Sequence, residues 1–597
     1  MTPFNTFGYR WSFNPGPFTI KEHVCITVMA NVVVAGAYAT DVVLAQRIFY
    51  GQQVSWAYQI LIVLSSQIIG FSLGGILRQF VVWPSSMIWP GALVNSALFN
   101  TLHKHYGKRD RGHMTRERFF TIVLACTFVW YWFPGFIFTA LSVFNWACWI
   151  APNNVVVNSL FGTNSGLGMG ILTFDWSLIS YIGSPLVTPW WSEANTAVSF
   201  VVIFWIIAPI IYFTNTWDTA FLPISSNLSF DNTGSPYQPK QIITDGLFDQ
   251  AKYIAYSPLL IPTTMLLAYG VAFAAFIAVF VHIFLWFRHD LVRRFRSSLK
   301  DERDVHSRLM LEYKEVPFWW YGSVGIICLS FLLVAVSVFL PQLPAWAVLL
   351  AFIFSAILSL PLAMLQAITN QQVPTQVMHE LVAGYMLPGR PIANMLFKAI
   401  AHIGTTQAVT FCGNLKLGHY MKIPPRIMFA TQLVAAFISA FVVIGVQDWM
   451  LGNVEDVCTP HQKNGFCCPS SNTFATASLI WGGIGPRRLF SPGAPYAPLL
   501  WFFLNGGLAP IPFYLLARRF PLSFWRYINI PVCFAGLGLG TGVAISMIVV
   551  FFSVIYPKGG IQFNWWGNVV WTTTADAKGV PLYTLHPEDT IGPKVWS

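Results

Sequence analysis

The stretch from Ile368 to Gln407, ITNQQVPTQVMHELVAGYMLPGRPIANMLFKAIAHIGTTQ, is the most informative in the chain. Asn370, Gln371 and Gln372 bring amides, which donate and accept as a peptide backbone does. Arg390 is suited to holding a carboxylate bidentately, Tyr385 adds a phenol, and Glu380 offers a proton acceptor. Pro374 and the run Pro388-Gly389-Arg390-Pro391 interrupt any helix drawn through these residues. The pattern predicts a discontinuous helix pair, the arrangement that builds transporter sites near the bilayer midplane. A plainer reading makes Glu380 and Arg390 interfacial anchors of helix ends. A second constellation is Asn14-Pro15-Gly16-Pro17-Phe18 followed by Lys21, Glu22 and His23. Such a turn presents unpaired carbonyls and then a helix N-terminus, where Glu22 or His23 would titrate. Its bland alternative is a cap lying among lipid headgroups. Lys416, Lys422 and Arg426 flank Pro424-Pro425 and read as a cytoplasmic anchor, and His402 and His419 as satisfied polar residues. Asp41, Asp175 and Glu193 are weaker candidates for a proton relay.

The elements that position these groups follow from composition. Lys and Arg number 34 and Asp and Glu 23 in 597 residues, so 10% are charged against roughly 25% in soluble domains. With 55% apolar residues, a soluble enzyme, a disordered chain and a disulfide-stapled secreted domain are excluded. The chain reads as an all-α polytopic membrane protein, one transporter domain over residues 1–597, in contact with the lipid bilayer. Apolar runs long enough to span lie near 24–45, 56–77, 119–141, 197–214, 258–287, 318–340, 345–368, 427–446, 497–516 and 532–555. Stretches broken by Pro, Gly and Asn lie at 81–102, 143–191, 377–412 and 475–490. Irregular backbone at membrane depth is tolerated only where protein buries it or where it lines a wet cavity, so several of these segments are expected to be discontinuous or re-entrant.

The net charge of +11 has a topological origin. Loop 103–118 carries six Lys or Arg and loop 288–314 carries eight, which the positive-inside rule places in the cytoplasm. Neither resembles a nucleic-acid module. Loop 215–257 has two lysines against four aspartates and holds the sequon Asn227-Leu228-Ser229. Loop 447–474 holds Cys458, Cys467 and Cys468, which fit no zinc spacing and suggest a loop disulfide. Both loops are expected outside. No Walker A, His-Glu-x-x-His or Cys-x-x-Cys pattern occurs, so neither an enzyme nor ATP-driven transport is indicated.

The sequence resembles the oligopeptide transporter family, in its fungal and plant peptide-transporter branch. The signature NPGPF-x-x-KEH is matched from Asn14, Pro15, Gly16 and Pro17 through His23. Matches continue in WPGALVNSALF from Trp89, TNQQ from Thr369, GYMLPGRPIAN over Gly384–Asn394, KLGHYMKIPPR over Lys416–Arg426 and ASLIWGGIGPRR from Ala477. The resemblance implies proton-coupled uptake of peptides of about three to six residues, or of glutathione, without a cofactor or bound metal, at the plasma membrane or an endomembrane. Related branches move metal chelates such as siderophores. Members usually carry further spans before NPGPF and a longer stretch ahead of the terminal WWG. A chain lacking them would be a truncated remnant or a peptide sensor.

Overall fold

In this computed structural model the described residues are 4–6, 9–11, 17–34, 37–104, 107–108, 112–170, 172–179, 187–296, 305–339, 342–458, 462, 468–535, 565–586, 589–594 and 596. Asn14, Pro15, Gly16, Cys467 and most of the candidate span 532–555 lie outside them. The architecture is all-α. Eight helices among the described residues are long and apolar enough to cross a membrane. The only strands among them are two short antiparallel ribbons, Phe4–Thr6 with Tyr9–Trp11 and Ile243–Thr244 with Leu247–Phe248.

The bundle is organised around the 31-residue helix Pro391–Met421, here the central helix, which is buried along most of its length. Trp56–Val81 and Ala345–Thr369 pack directly against it. Close approach is set by small residues. A Cβ on Gly70 would stand 2.6 Å from the Gly404 carbonyl, and one on Gly404 would stand 2.5 Å from Ser355 Oγ. Small residues at such crossings let backbones meet where apolar burial alone gives no drive in lipid. Ser355 Oγ donates to the Ala401 carbonyl at 2.6 Å, and Gln407 Nε2 donates to Gln67 Oε1 at 2.5 Å. Polar contacts therefore fix the register of apolar helices.

Peripheral spans show the opposite pattern. Arg116–Ile137 turns Phe119, Phe120, Leu124, Phe128 and Val129 outward, as a lipid-facing surface requires. The run 24–45 is two helices, Ile20–Val34 and Ala39–Ile48, rather than a single span. Among its described residues, the broken stretch 143–191 holds the short helices Trp146–Ile150, Val155–Phe161 and Trp176–Ile179, and Trp190–Phe200 begins at its end. Ahead of the central helix, Ala345–Thr369 ends at Asn370 in the left-handed region (φ 58°), and the 11-residue helix Gln376–Met386 follows. At 1.5 Å per residue that helix reaches about 16 Å, half of a hydrocarbon core. It is a half-helix.

The central helix ends where Lys422 takes a left-handed conformation (φ 58°) and the Ile423 amide donates to the Gly418 carbonyl at 2.9 Å, a Schellman-like stop. Pro424 and Pro425 then open the next helix, Pro425–Asn453. One expectation is corrected here. Lys416 is no cytoplasmic anchor: it is buried, and its ammonium donates to the carbonyls of Val82 (2.8 Å) and Pro84 (3.0 Å). The end of Trp56–Val81 leaves unpaired carbonyls inside the protein, and a cation from a neighbouring helix satisfies them.

Candidate functional site

Glu380 lies on the half-helix Gln376–Met386, and its carboxylate pairs with Lys398 of the central helix. Both side chains are about 95% buried or more. The other ion pairs among the described residues, Arg47–Asp448 and Arg78–Glu315, each leave at least one partner in contact with solvent or lipid. A charged side chain at a helix centre costs about 2.5–3.5 kcal/mol on insertion scales, so two are tolerated here because they meet. Asn394, Lys398 and His402 recur every four residues and share one face of the central helix. Asn394 Nδ2 donates to the Glu380 carbonyl at 2.9 Å, and His402 Nδ1 lies 3.1 Å from Thr375 Oγ1. That polar stripe faces the half-helix.

A third element covers the pair. The helix Pro469–Ser478 brings the Phe474 ring to 3.9 Å from Lys398 Nζ, and the Tyr38 ring lies 5.8 Å from the same atom. Ser471 Oγ of this helix donates to Asp41 at 3.0 Å, and Ser478 Oγ meets Tyr50 OH at 2.7 Å. Its N-terminus follows the disulfide Cys458–Cys468. The half-helix seats tightly on the segment that continues from it: a Cβ on Gly384 would collide with the Trp481 carbonyl oxygen and lie 2.6 Å from Pro486 Cδ. Two groups remain without hydrogen-bond partners in this dry setting, the Asn394 Oδ1 and both ring nitrogens of His379. His379 adjoins Glu380 in sequence and its ring stands 6.2 Å from that of His402. Unsatisfied buried polar atoms cost about 1–3 kcal/mol each, so such a cluster suits a visiting ligand or proton better than permanent packing.

The other predicted residues occupy different places. Glu22 is exposed and its carboxylate accepts from the Thr19 amide (2.7 Å) and hydroxyl (2.9 Å), the reciprocal capping arrangement of a helix N-terminus. The Thr19 bonds hold its carboxyl below the ordinary value. His23 Nδ1 lies 3.0 Å from His103 Nε2, and Lys21 donates to Tyr313 at 2.9 Å. Burial, with help from His103, lowers the His23 pKa. Asn370 reaches Thr188 Oγ1 at 3.4 Å, Tyr385 OH meets Ser491 Oγ at 2.9 Å, and Arg390 donates to the Gln342 carbonyl at 3.0 Å. Gln371 is half-buried and Gln372 exposed in the turn between the helices. These five do not converge on one point. Asp175 accepts from Ser177 and Ser142 within its own loop region, and Glu193 stands in the first turn of Trp190–Phe200.

Sequence reasoning passed over Lys398 and Asn394. The signal was present: a lysine inside the apolar run MLFKAIAHIG, one helical turn before a histidine. No group of three or more His, Cys, Asp or Glu residues suited to a metal ion occurs among the described residues.

The family of OPT oligopeptide transporter proteins matches residues 3–575. This chain belongs to the oligopeptide transporter family. It is 40% identical to Glutathione transporter 1 of Schizosaccharomyces pombe, over all of this chain and 76% of that protein. It is 39% identical to Oligopeptide transporter 1 of Saccharomyces cerevisiae, over 98% of this chain and 79% of the relative. Oligopeptide transporter 3 of Arabidopsis thaliana is also 39% identical, over 96% of this chain and 81% of the relative. The protein is an integral membrane member of a transporter family, and the half-helix, the central helix and the covering helix are elements of that transporter.

Proposed function

We propose that this oligopeptide transporter is a secondary carrier that couples peptide uptake across the plasma membrane to proton entry, with Glu380 as the coupling carboxylate. The observation that carries this reading is the doubly buried Glu380–Lys398 pair at the break between a half-helix and the central helix. A broken helix at membrane depth is where transporters of other folds place substrate and coupling ion. A buried ion pair is a poor source of net stability but well suited to switching.

In the reading we favour, a proton neutralises Glu380 and releases Lys398 from its partner. The lysine ammonium, under Phe474 and near Tyr38, is then available to a peptide carboxylate, while Asn394 Oδ1 and the His379 ring offer polar partners for backbone amides. Loss of the proton to the other side restores the pair and expels the anionic end of the peptide. A neutral zwitterionic peptide moving with a proton carries net positive charge, so the cycle is electrogenic. We place coupling at Glu380 rather than Glu22 because the Glu22 carboxylate is engaged in capping at an exposed helix end. Substrates of about three to six residues remain the expectation drawn from the family.

Whole-cell recording tests this. Addition of a tetrapeptide at acidic external pH should evoke an inward current that shrinks as external pH rises, and peptide uptake without current at any pH would overturn proton coupling.

A further inference from the structure

We propose that Asn227 is an N-glycosylation site and carries an oligosaccharide on the face of the protein that holds the Cys458–Cys468 disulfide. Asn227-Leu228-Ser229 is the only Asn-x-Ser/Thr sequon in the 597 residues. Asn227 is exposed, in a stretch without helix or strand, as an acceptor bearing a bulky hydrophilic group must be. It lies in loop 215–257, which begins just past the span Trp190–Phe213.

The second observation is independent of the sequon. Asn227 Nδ2 donates to Thr473 Oγ1 at 3.1 Å, and Thr473 sits on the helix that starts at the disulfide. A disulfide marks the oxidising side of the membrane, where oligosaccharide transfer also takes place. One hydrogen bond thus joins the two features, so they share a side.

The chemistry is a substitution at carbon. Asn227 Nδ2 attacks C1 of the reducing-end sugar of a polyprenyl-pyrophosphate oligosaccharide, so the N–C1 bond forms and the C1–O bond breaks. The polyprenyl pyrophosphate leaves with the bonding electrons, and the displaced amide proton passes to the transferring enzyme's base. The amide keeps one N–H, enough to maintain the bond to Thr473. Ser229 is buried in the folded loop, so transfer precedes closure of that loop on the nascent chain. The finished glycan stands on the seam between loop 215–257 and the helix whose Phe474 covers Lys398.

The full-length protein, produced in a eukaryotic host and digested with a peptide N-glycosidase, tests the proposal. Wild type and Ser229→Thr should shift to lower apparent mass, whereas Ser229→Ala and Asn227→Gln should already run at the digested position. Mass spectrometry of the released peptide should find aspartate at residue 227. Wild type that does not shift, or a shift that survives in both Ser229→Ala and Asn227→Gln, would overturn the assignment.

Discussion

Replacing Glu380 by Gln removes one charge from a site where, among the described residues, no other carboxylate lies within ion-pair distance of Lys398. The ammonium would keep the Phe474 ring at 3.9 Å and the Tyr38 ring at 5.8 Å. A desolvated cation–π contact contributes about 2 kcal/mol, but wild type already has it, so it compensates nothing. Breaking a buried pair by deleting one partner costs about 3–5 kcal/mol, and Glu380→Gln should fall in that range. Lys398→Met, which keeps the side-chain length, should cost a similar amount by stranding the carboxylate. The double variant strands no charge. It should return to within about 1 kcal/mol of wild type or exceed it, giving a coupling energy of at least about 2 kcal/mol. Reaction of the buried thiols Cys328 and Cys412 with a maleimide fluorophore, followed through a denaturant titration in detergent, measures each stability. Single variants as stable as wild type, or a double variant whose loss equals the sum of the singles, would refute the claim that these groups are a dry, mutually dependent pair.

Gly384→Ala should prevent the half-helix from seating, because the new methyl meets the Trp481 carbonyl and the Pro486 ring. Overpacking costs about 1–3 kcal/mol, and a monodisperse, wild-type elution profile in mild detergent would argue against that fit. Acidification should loosen the N-terminal helix through His23. Its folded pKa is below the ordinary 6.5, so below about 6.5 the unfolded chain binds more protons and stability falls with pH. Wild type should therefore lose more thermal stability between pH 7.5 and 5.5 than His23→Gln, and equal losses would discount the His23–His103 contact. The pair Cys458→Ser and Cys468→Ser opens a loop of sequence separation 10, worth about 2–3 kcal/mol in the chain-entropy picture. Earlier proteolysis ahead of Pro469 is expected, and unchanged cleavage kinetics would show that the bridge does not hold that helix.

Much of the scaffold was legible because bilayers leave few options. Long apolar runs such as Trp56–Val81 and Phe318–Phe339 could only be helices, and prolines at 374 and 391 bound the half-helix that the structure contains. Glu380 stood out as an acid inside an apolar stretch. Its partner was harder to see, since Lys398 and Glu380 are 18 residues apart and meet only because the chain reverses at Pro388–Pro391. Periodicity finds which residues share a helix face but not which faces meet. The burial of Lys416 was hidden for the same reason: its acceptors, Val82 and Pro84, are more than 330 residues away in sequence. Glu22 shows the converse. Its spacing from Thr19 is a local signal for a capping box, and local signals survive folding.

The most direct test of the account is concentrative uptake of a labelled tetrapeptide into proteoliposomes holding this 597-residue chain, with and without an inward proton gradient, for wild type beside Glu380→Gln. The account predicts accumulation above equilibrium in wild type only with the gradient. Glu380→Gln should exchange peptide across the membrane but never accumulate it. Gradient-driven accumulation by Glu380→Gln at the wild-type level would contradict the assignment of Glu380 as the coupling group.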